Sequence, residues 1–200
     1  MRAFAAEDAI TPPPTNAIVF TGSSSIVFWK SLARDMAPLI VINRGFGGST
    51  LADALYWLDT LVLKYKPRAV VLYEGDNDIG EFDATPESVL KGFETFVARI
   101  HAERPEARIY FLSIKPSPLR WAKWPQMRRA NELIRAFCES RPQLHFIDVG
   151  SPMLGDDGRP RADLFESDEL HLNTKGYELW TSLVRPILLE HESRTGKRRS

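Results

Sequence analysis

Residues 17–25 read AIVFTGSSS, an apolar run that ends in a glycine and three serines. Apolar residues then recur at helical spacing from Ile26 to Met36. An apolar run followed by a helical pattern predicts a buried strand, a turn and a helix, with the serines in the turn. Backbone N–H groups at a helix start have no partner within the helix and are free to stabilise negative charge. Consecutive serines also suit a helix cap, so this stretch alone leaves both roles open.

The same pattern of apolar run and helical segment continues along the chain. The further runs lie at residues 39–42, 69–73, 108–114 and 144–149. Strands that alternate with helices form parallel βαβ units, and strands that are apolar throughout are covered on both faces. The sequence therefore predicts an α/β fold, a three-layer α/β/α sandwich with a five-stranded parallel sheet in flavodoxin-like order.

Length and composition favour one domain and a small, uncharged partner. The 200 residues suffice for one well-buried core, which we place at 17–190, between an N-terminal arm at 1–16 and a solvated basic tail at 191–200. The 26 basic and 26 acidic residues balance, so the chain has no net positive charge that would favour binding to nucleic acid. The only cysteine, Cys138, excludes an intrachain disulfide and lies on an apolar helix face, which predicts a buried thiol.

Nothing in the sequence predicts insertion into a membrane. No apolar stretch approaches the length that a bilayer requires, and the first residues lack the core of a signal peptide. This favours a cytoplasmic location. A secreted or periplasmic location stays open, because removal of a leader would leave the same sequence.

Glycines and polar residues collect where the predicted strands end. Gly48 follows the second strand, Asn77 follows the third, and Asp168 and His171 lie beyond the fifth. Ligands of open α/β sheets bind outside the carboxyl ends of the strands, where the strand order reverses. In flavodoxin-like order the first and third strands flank that reversal, which would place Ser24 and Asn77 on either side of one crevice.

Acidic residues at this edge also allow a different chemistry. Asp76, Asp78, Asp168 and His171 carry the ligand types of a hard cation. We expect no metal, however, because Asp78 is better explained as fastening the turn after the third strand by hydrogen bonds.

Four separated blocks carry a resemblance to a known family. They read GSSS at 22–25, NRGFGGST at 43–50, GDND at 75–78 and DELH at 168–171. In this order and spacing they resemble the SGNH, or GDSL-type, serine hydrolases, whose fold the chain then shares almost throughout. Ser23 stands where that family usually has aspartate, which keeps Ser23 and Ser25 as alternative nucleophiles.

The resemblance implies a role for each matching residue. It makes Ser24 the nucleophile, His171 its base and Asp168 the orienter of the imidazole, with an oxyanion hole of Ser24, Gly48 and Asn77. A serine hydroxyl needs a base to become nucleophilic, and a neutral imidazole held by a carboxylate is such a base. Ser24 Oγ should then lie within hydrogen-bond distance of His171, with Asp168 behind it.

The function implied is a serine esterase that uses no cofactor and acts on short-chain acyl esters or acetylated carbohydrates. Transfer of the acyl group to an alcohol is a close variant. Arg44, Trp121 and Trp124 are candidates for a substrate pocket, although the tryptophans suit loop packing equally well. The alternatives are a non-catalytic binding domain of the same fold and a metal-assisted phosphoester hydrolase.

Overall fold

The five predicted strands form one parallel sheet in the computed structural model, which describes residues 1–193. They are β1 (Ile18–Gly22), β2 (Val41–Gly45), β3 (Ala69–Tyr73), β4 (Arg108–Leu112) and β5 (Leu144–Ile147). Their order in the sheet is β2-β1-β3-β4-β5, which confirms the flavodoxin-like prediction. The reversal of strand order lies at β1, between β2 and β3. There, Gly22 pairs with Tyr73 at the carboxyl end of the sheet.

Helices occupy most of the connections between the strands. They are α1 (Arg2–Ile10), α2 (Ser24–Val27), α3 (Leu32–Asp35), α4 (Leu51–Tyr56), α5 (Leu58–Leu61), α6 (Asp76–Gly80), α7 (Pro86–Glu103), α8 (Trp124–Glu139) and α9 (Thr174–Glu192). Short 3-10 turns lie at Leu63–Tyr65, Trp121–Lys123, Ser151–Met153 and Ala162–Leu164. Within the described residues, no helix is both long and apolar enough to cross a bilayer.

Alternate residues of each strand face two separate cores. In β1, Val19 packs with α4, α5, α7 and α8, whereas Ile18 and Phe20 pack on the other face with α2, α3 and α9. Because successive strand residues point to opposite faces, a strand covered on both sides is apolar over most of its length, as β1 is from Ile18 to Phe20. The predicted three-layer sandwich is confirmed. Cys138 is buried as predicted, and burial raises the pKa of its thiol to about 12.

The helical spacing from Ile26 to Met36 predicts one helix, but the structure has two short ones, α2 and α3. Two residues between these helices bond to the last residue of α3: the carboxylate of Asp35 accepts hydrogen bonds from the Trp29 indole at 2.9 Å and the Ser31 hydroxyl at 2.5 Å. Side chains that form such local bonds stabilise turns in competition with the helix. The prediction of a continuous helix was therefore wrong at its centre.

The predicted arm, residues 1–16, lies against the domain through α1. Asp8 Oδ1 accepts a hydrogen bond from Arg44 at 2.5 Å, and its Oδ2 accepts one from the Tyr65 hydroxyl at 2.7 Å. The guanidinium carbon of Arg44 lies 5.0 Å from the ring centre of Phe4. Since the Arg44 side chain is only 5% exposed, it anchors the arm.

At the other end of the chain, α9 continues to Glu192, two residues into the predicted tail at 191–200. The carboxylate of Glu192 is buried and accepts hydrogen bonds from Arg108 at 2.6 Å and Tyr110 at 2.7 Å. These bonds hold the end of the helix on β4, so the domain extends further than predicted. The rest of the predicted tail, from residue 194, lies outside the described residues.

Gly22, the last residue of β1, is expected not to tolerate a side chain. Its φ is 138°, and a Cβ would lie 2.1 Å from the carbonyl oxygen of Tyr73. Because that oxygen belongs to the neighbouring strand, we expect Gly22→Ala to lower the free energy of unfolding by about 3 kcal/mol or more, measured by urea denaturation. Gly47→Ala is the control, since a Cβ there meets no atom within 4 Å. Equal losses in both variants would contradict this explanation.

Candidate active site

Ser24 lies in the turn after β1 and is the first residue of α2. The turn is tied to two neighbouring elements. The Ser23 N–H donates to the carbonyl of Tyr73 at 3.2 Å, and the Tyr177 hydroxyl donates to the carbonyl of Ser25 at 2.9 Å. Ser23 occupies the N-cap position without a side-chain hydrogen bond to the helix. The N–H of Ser24 lies at the helix start, where the helix itself offers it no acceptor.

Asp168 and His171 lie in the connection between β5 and α9. A bridge between Phe165 and Leu172 closes this connection at its base. Asp168 Oδ1 accepts the backbone N–H groups of Leu170 at 3.0 Å and His171 at 2.9 Å, while its Oδ2 lies 2.6 Å from His171 Nδ1. The imidazole hydrogen bond foremost, followed by those of the backbone, lowers the pKa of Asp168 to about 2. The side chain is therefore a carboxylate at neutral pH.

The imidazole of His171 connects this carboxylate to the serine turn. Its Nε2 lies 3.0 Å from Ser24 Oγ, and its ring packs edge-on against Phe28 with the ring centres 4.9 Å apart. The structure thus shows the arrangement expected from the sequence. An imidazole held at Nδ1 by a carboxylate can take a proton at Nε2 from a hydroxyl and return it.

Gly48 and Asn77 reach the same edge from β2 and β3, the neighbours of β1 in the sheet. Gly48 is exposed, and its φ of 75° favours glycine. Asn77 is only 9% exposed, and its Nδ2 donates to the carbonyl of Ser49 at 2.8 Å. Since an amide nitrogen carries two N–H groups, this contact leaves one for a ligand. Together with the N–H of Ser24, the predicted donors lie at three adjacent strand ends.

A buried ion cluster that the sequence analysis missed adjoins Asn77. Arg120 Nη1 donates to Asn77 Oδ1 at 3.0 Å and to Asp76 Oδ1 at 2.6 Å, and Lys115 Nζ donates to Asp76 Oδ2 at 2.7 Å. Burial raises the pKa of Asp76, but the two cations outweigh burial and hold it at about 2. Lys115 and Arg120 follow β4, so their position after a strand end was the available signal.

The three aspartates that carry the ligand type of a hard cation are all hydrogen-bonded to other groups of the protein. Asp78 accepts the backbone N–H groups of Leu51 and Gly75, each at 3.1 Å, which confirms that it fastens the turn after β3. Asp76 lies between its two cations, and Asp168 holds the imidazole. Over the described part of the chain, no three His, Cys, Asp or Glu residues form a group that could hold a metal ion.

The structure does not bring the three candidate pocket residues to the serine. Arg44 anchors the N-terminal helix, as described above. Trp121 and Trp124 stack on each other with their ring centres 6.3 Å apart. They line a cavity of about 500 Å³ whose walls include neither Ser24 nor His171. Helix α8 begins at Trp124 and packs on β5, at the edge of the sheet away from β1, so both rings lie on that side.

A different cavity, of about 660 Å³, adjoins the imidazole. Its volume suits a small organic molecule. Its walls combine aromatic rings with charged groups of both signs, which suits a polar occupant. The lining includes Phe28, Lys30, Arg34, Glu166, Asp168, His171 and Tyr177.

Comparison with known proteins connects this geometry to a family of enzymes. Residues 17–179 match the GDSL-like Lipase/Acylhydrolase family. The chain is also similar to subunit alpha1 of platelet-activating factor acetylhydrolase IB from cattle and from humans. Each of these relatives is 31% identical over 185 residues, which cover 86% of this chain and 75% of the relative.

Solved structures share the fold at lower sequence identity. A GDSL-like lipase from Bacteroides thetaiotaomicron superposes with a TM-score of 0.78 at 20% identity, covering 94% of this chain and 97% of that one. A variant of an acetyl-xylooligosaccharide esterase from Geobacillus gives a TM-score of 0.69 at 14% identity, covering 94% and 99%. At these identities the likeness concerns the fold alone.

Proposed function

The chain belongs to the GDSL-like Lipase/Acylhydrolase family, and we propose that it is a serine esterase forming an acyl-enzyme on Ser24. One observation carries this proposal. Ser24 Oγ, the imidazole of His171 and the carboxylate of Asp168 form an unbroken chain with links of 3.0 and 2.6 Å. A serine hydroxyl becomes a useful nucleophile when a base so placed removes its proton.

In the first half of the reaction, Ser24 Oγ attacks the ester carbonyl carbon while His171 Nε2 takes the hydroxyl proton. The carbonyl oxygen becomes negative, and the N–H groups of Ser24 and Gly48 and the amide of Asn77 stabilise it. The bond between the carbonyl carbon and the alcohol oxygen then breaks. His171 gives its proton to the departing alcohol, and the acyl group stays on Ser24.

In the second half, water takes the place of the alcohol. His171 removes a proton from the water as it attacks the acyl carbon, and the same donors receive the charge on the carbonyl oxygen. The bond to Ser24 Oγ breaks, the proton returns to this oxygen, and the carboxylic acid leaves. Throughout, the carboxylate of Asp168 stabilises the imidazolium and keeps Nε2 directed at the reacting oxygen.

The surroundings of His171 support esters of polar alcohols. The departing alcohol receives its proton from Nε2 and so lies beside the imidazole, and the 660 Å³ cavity whose walls include His171, but not Ser24, carries charged groups. The relatives at 31% identity are named acetylhydrolases, and one fold neighbour is named an acetyl-xylooligosaccharide esterase. Acetyl esters of polar alcohols, acetylated carbohydrates included, are therefore the substrates to test first.

A fluorophosphonate probe tests the nucleophile directly, because it phosphonylates an activated serine. We expect stoichiometric labelling of the wild-type protein, with the label on the peptide that contains Ser24 in mass spectrometry. Ser24→Ala should take up no label, whereas Ser23→Ala and Ser25→Ala should still be labelled on Ser24. Ester hydrolysis should be lost in the same variant that loses the label.

The result also separates the proposal from its rivals. A wild-type protein that takes up no label would contradict the proposal and favour a binding domain of the same fold. Label on Ser23 or Ser25 would identify that residue as the nucleophile in place of Ser24. Loss of hydrolysis on treatment with a chelator, without loss of labelling, would contradict the esterase mechanism and favour metal assistance.

A further inference from the structure

The amide of Asn77 forms one hydrogen bond with a group that can only accept and another with a group that can only donate. Its Nδ2 donates to the carbonyl of Ser49 at 2.8 Å, and its Oδ1 accepts from Arg120 Nη1 at 3.0 Å. A flipped amide would place oxygen against the carbonyl and N–H groups against the guanidinium, and neither pair can form a hydrogen bond. This pair of contacts therefore selects one orientation of the amide.

Arg120 is itself held by a buried ion pair. Its Nη1 lies 2.6 Å from Asp76 Oδ1, and the second oxygen of that carboxylate accepts from Lys115 at 2.7 Å and from the Tyr73 hydroxyl at 2.9 Å. Lys115 is 1% exposed and Asp76 is 4% exposed. Two cations and one anion leave this buried group with a net charge of +1. Glu81 approaches the guanidinium at 3.5 Å but is 65% exposed, so solvent weakens its contribution.

The backbone of α6 leaves room for Arg120 at Gly80. A Cβ on Gly80 would lie 2.5 Å from Arg120 Cδ and 2.9 Å from its Cζ. The guanidinium therefore lies directly against this helix, three residues after Asn77. The same loop also contacts the connection that carries the imidazole, because the Leu119 N–H donates to the carbonyl of Glu169 at 3.1 Å.

We propose that Arg120 is a positioning residue that directs an N–H of Asn77 toward the oxyanion, with Asp76 holding Arg120 in place and Lys115 holding Asp76. The proposal rests on the proposed function, since it assigns the free N–H of Asn77 to the oxyanion. A positive charge at Oδ1 also polarises the amide and makes its N–H a stronger donor. The benefit arises when charge develops on the substrate oxygen, so it should affect kcat more than KM.

The test is a double-mutant cycle between Arg120 and Asn77, with p-nitrophenyl acetate as the substrate. We expect Arg120→Met to lower kcat about 10- to 100-fold, with KM changed by less than about threefold. In an Asn77→Ala background the same substitution should have no further effect beyond about twofold. Arg129→Met, which removes an exposed arginine from α8, is the control and should retain the wild-type kcat.

Two further variants address folding, because Arg120→Met leaves Asp76 with one cation fewer. Arg120→Lys keeps the charge but not the guanidinium geometry, and it should lose kcat to an intermediate extent. Gly80→Ala keeps every polar group and displaces Arg120, so it should lower kcat in the wild-type background and not in Asn77→Ala. Thermal melting of each variant should show a folded protein.

The outcomes separate this proposal from the one on which it rests. If Ser24 takes up no fluorophosphonate, the proposed function fails. If Ser24 is labelled and Asn77→Ala slows hydrolysis, but Arg120→Met retains the wild-type kcat, only the role of Arg120 is overturned. Losses that multiply in the double variant would equally overturn it, because they would show that Arg120 does not act through Asn77.

Discussion

His171→Ala is expected to hydrolyse p-nitrophenyl acetate with a kcat on the order of 10⁴- to 10⁶-fold lower than that of the wild type. The structure gives the reason. His171 Nε2 is the base at 3.0 Å from Ser24 Oγ, and without it the hydroxyl must lose its proton to water. The same group also protonates the departing alcohol, so both halves of the reaction lose their proton carrier. Initial rates of substrate hydrolysis, corrected for the uncatalysed reaction, measure the loss.

The control for this variant is another histidine with a structural contact. His101 lies in the last turn of α7, and its Nε2 is 3.0 Å from the carbonyl oxygen of Ala107. His101→Ala should therefore retain the wild-type kcat. The prediction would be contradicted if His171→Ala, shown to be folded by circular dichroism, kept more than about a tenth of the wild-type kcat, because general-base catalysis contributes more than that.

The fold was predictable because each strand carries its own signal. β1 and β3 are buried at every position, and each reads as a short, mostly apolar run whose length suits a strand covered on both faces and not a helix. Helix ends were also marked locally. Thr50 and Asp53 form a capping box at the start of α4, and Thr85 caps α7 ahead of a proline, as such residue patterns predict.

The site was predictable where the strand ends determine it. Ser24, Gly48 and Asn77 follow three strands that are neighbours in the sheet, so their proximity follows from the strand order alone. Asp168 and His171 are only three residues apart, and a single turn brings them together. Their own spacing does not connect them to a serine 147 positions away; the family resemblance predicted that contact, and His171 Nε2 lies 3.0 Å from Ser24 Oγ.

Other contacts depend on the tertiary structure, and the local sequence does not identify the partners of these residues. Arg44 lies near the end of β2 and is as suitable for a ligand as for the carboxylate of Asp8, which lies 36 positions away. Trp121 and Trp124 stand in a loop after a strand end, yet the start of α8 places them over a different cavity. In the sequence, nothing near Asp76 marks its carboxylate as part of an ion cluster. Its cations come from a loop about 40 residues later, which no spacing rule connects to it.

Asp168→Asn is expected to lower kcat on the order of 10⁴-fold while the connection between β5 and α9 keeps its shape. The amide oxygen of asparagine can still accept the backbone N–H groups of Leu170 and His171, which Asp168 Oδ1 accepts at 3.0 and 2.9 Å. Its NH2 group would then face His171 Nδ1, where the carboxylate oxygen now lies at 2.6 Å. An N–H donor there favours the imidazole tautomer with a proton on Nε2, which cannot accept the proton of Ser24.

Two measurements test this explanation independently. Long-range ¹H–¹⁵N spectra of the histidine ring report which nitrogen carries the proton, and we expect it to move from Nδ1 to Nε2 in Asp168→Asn. Hydrolysis of p-nitrophenyl acetate reports the rate, and Asp156→Asn, an exposed acid changed in the same way, should retain the wild-type kcat. A slow variant whose tautomer is unchanged would contradict the tautomer explanation. A variant with normal activity would remove Asp168 from the proposed mechanism, because the carboxylate could then be neither the group that orients the imidazole nor the charge that stabilises the imidazolium.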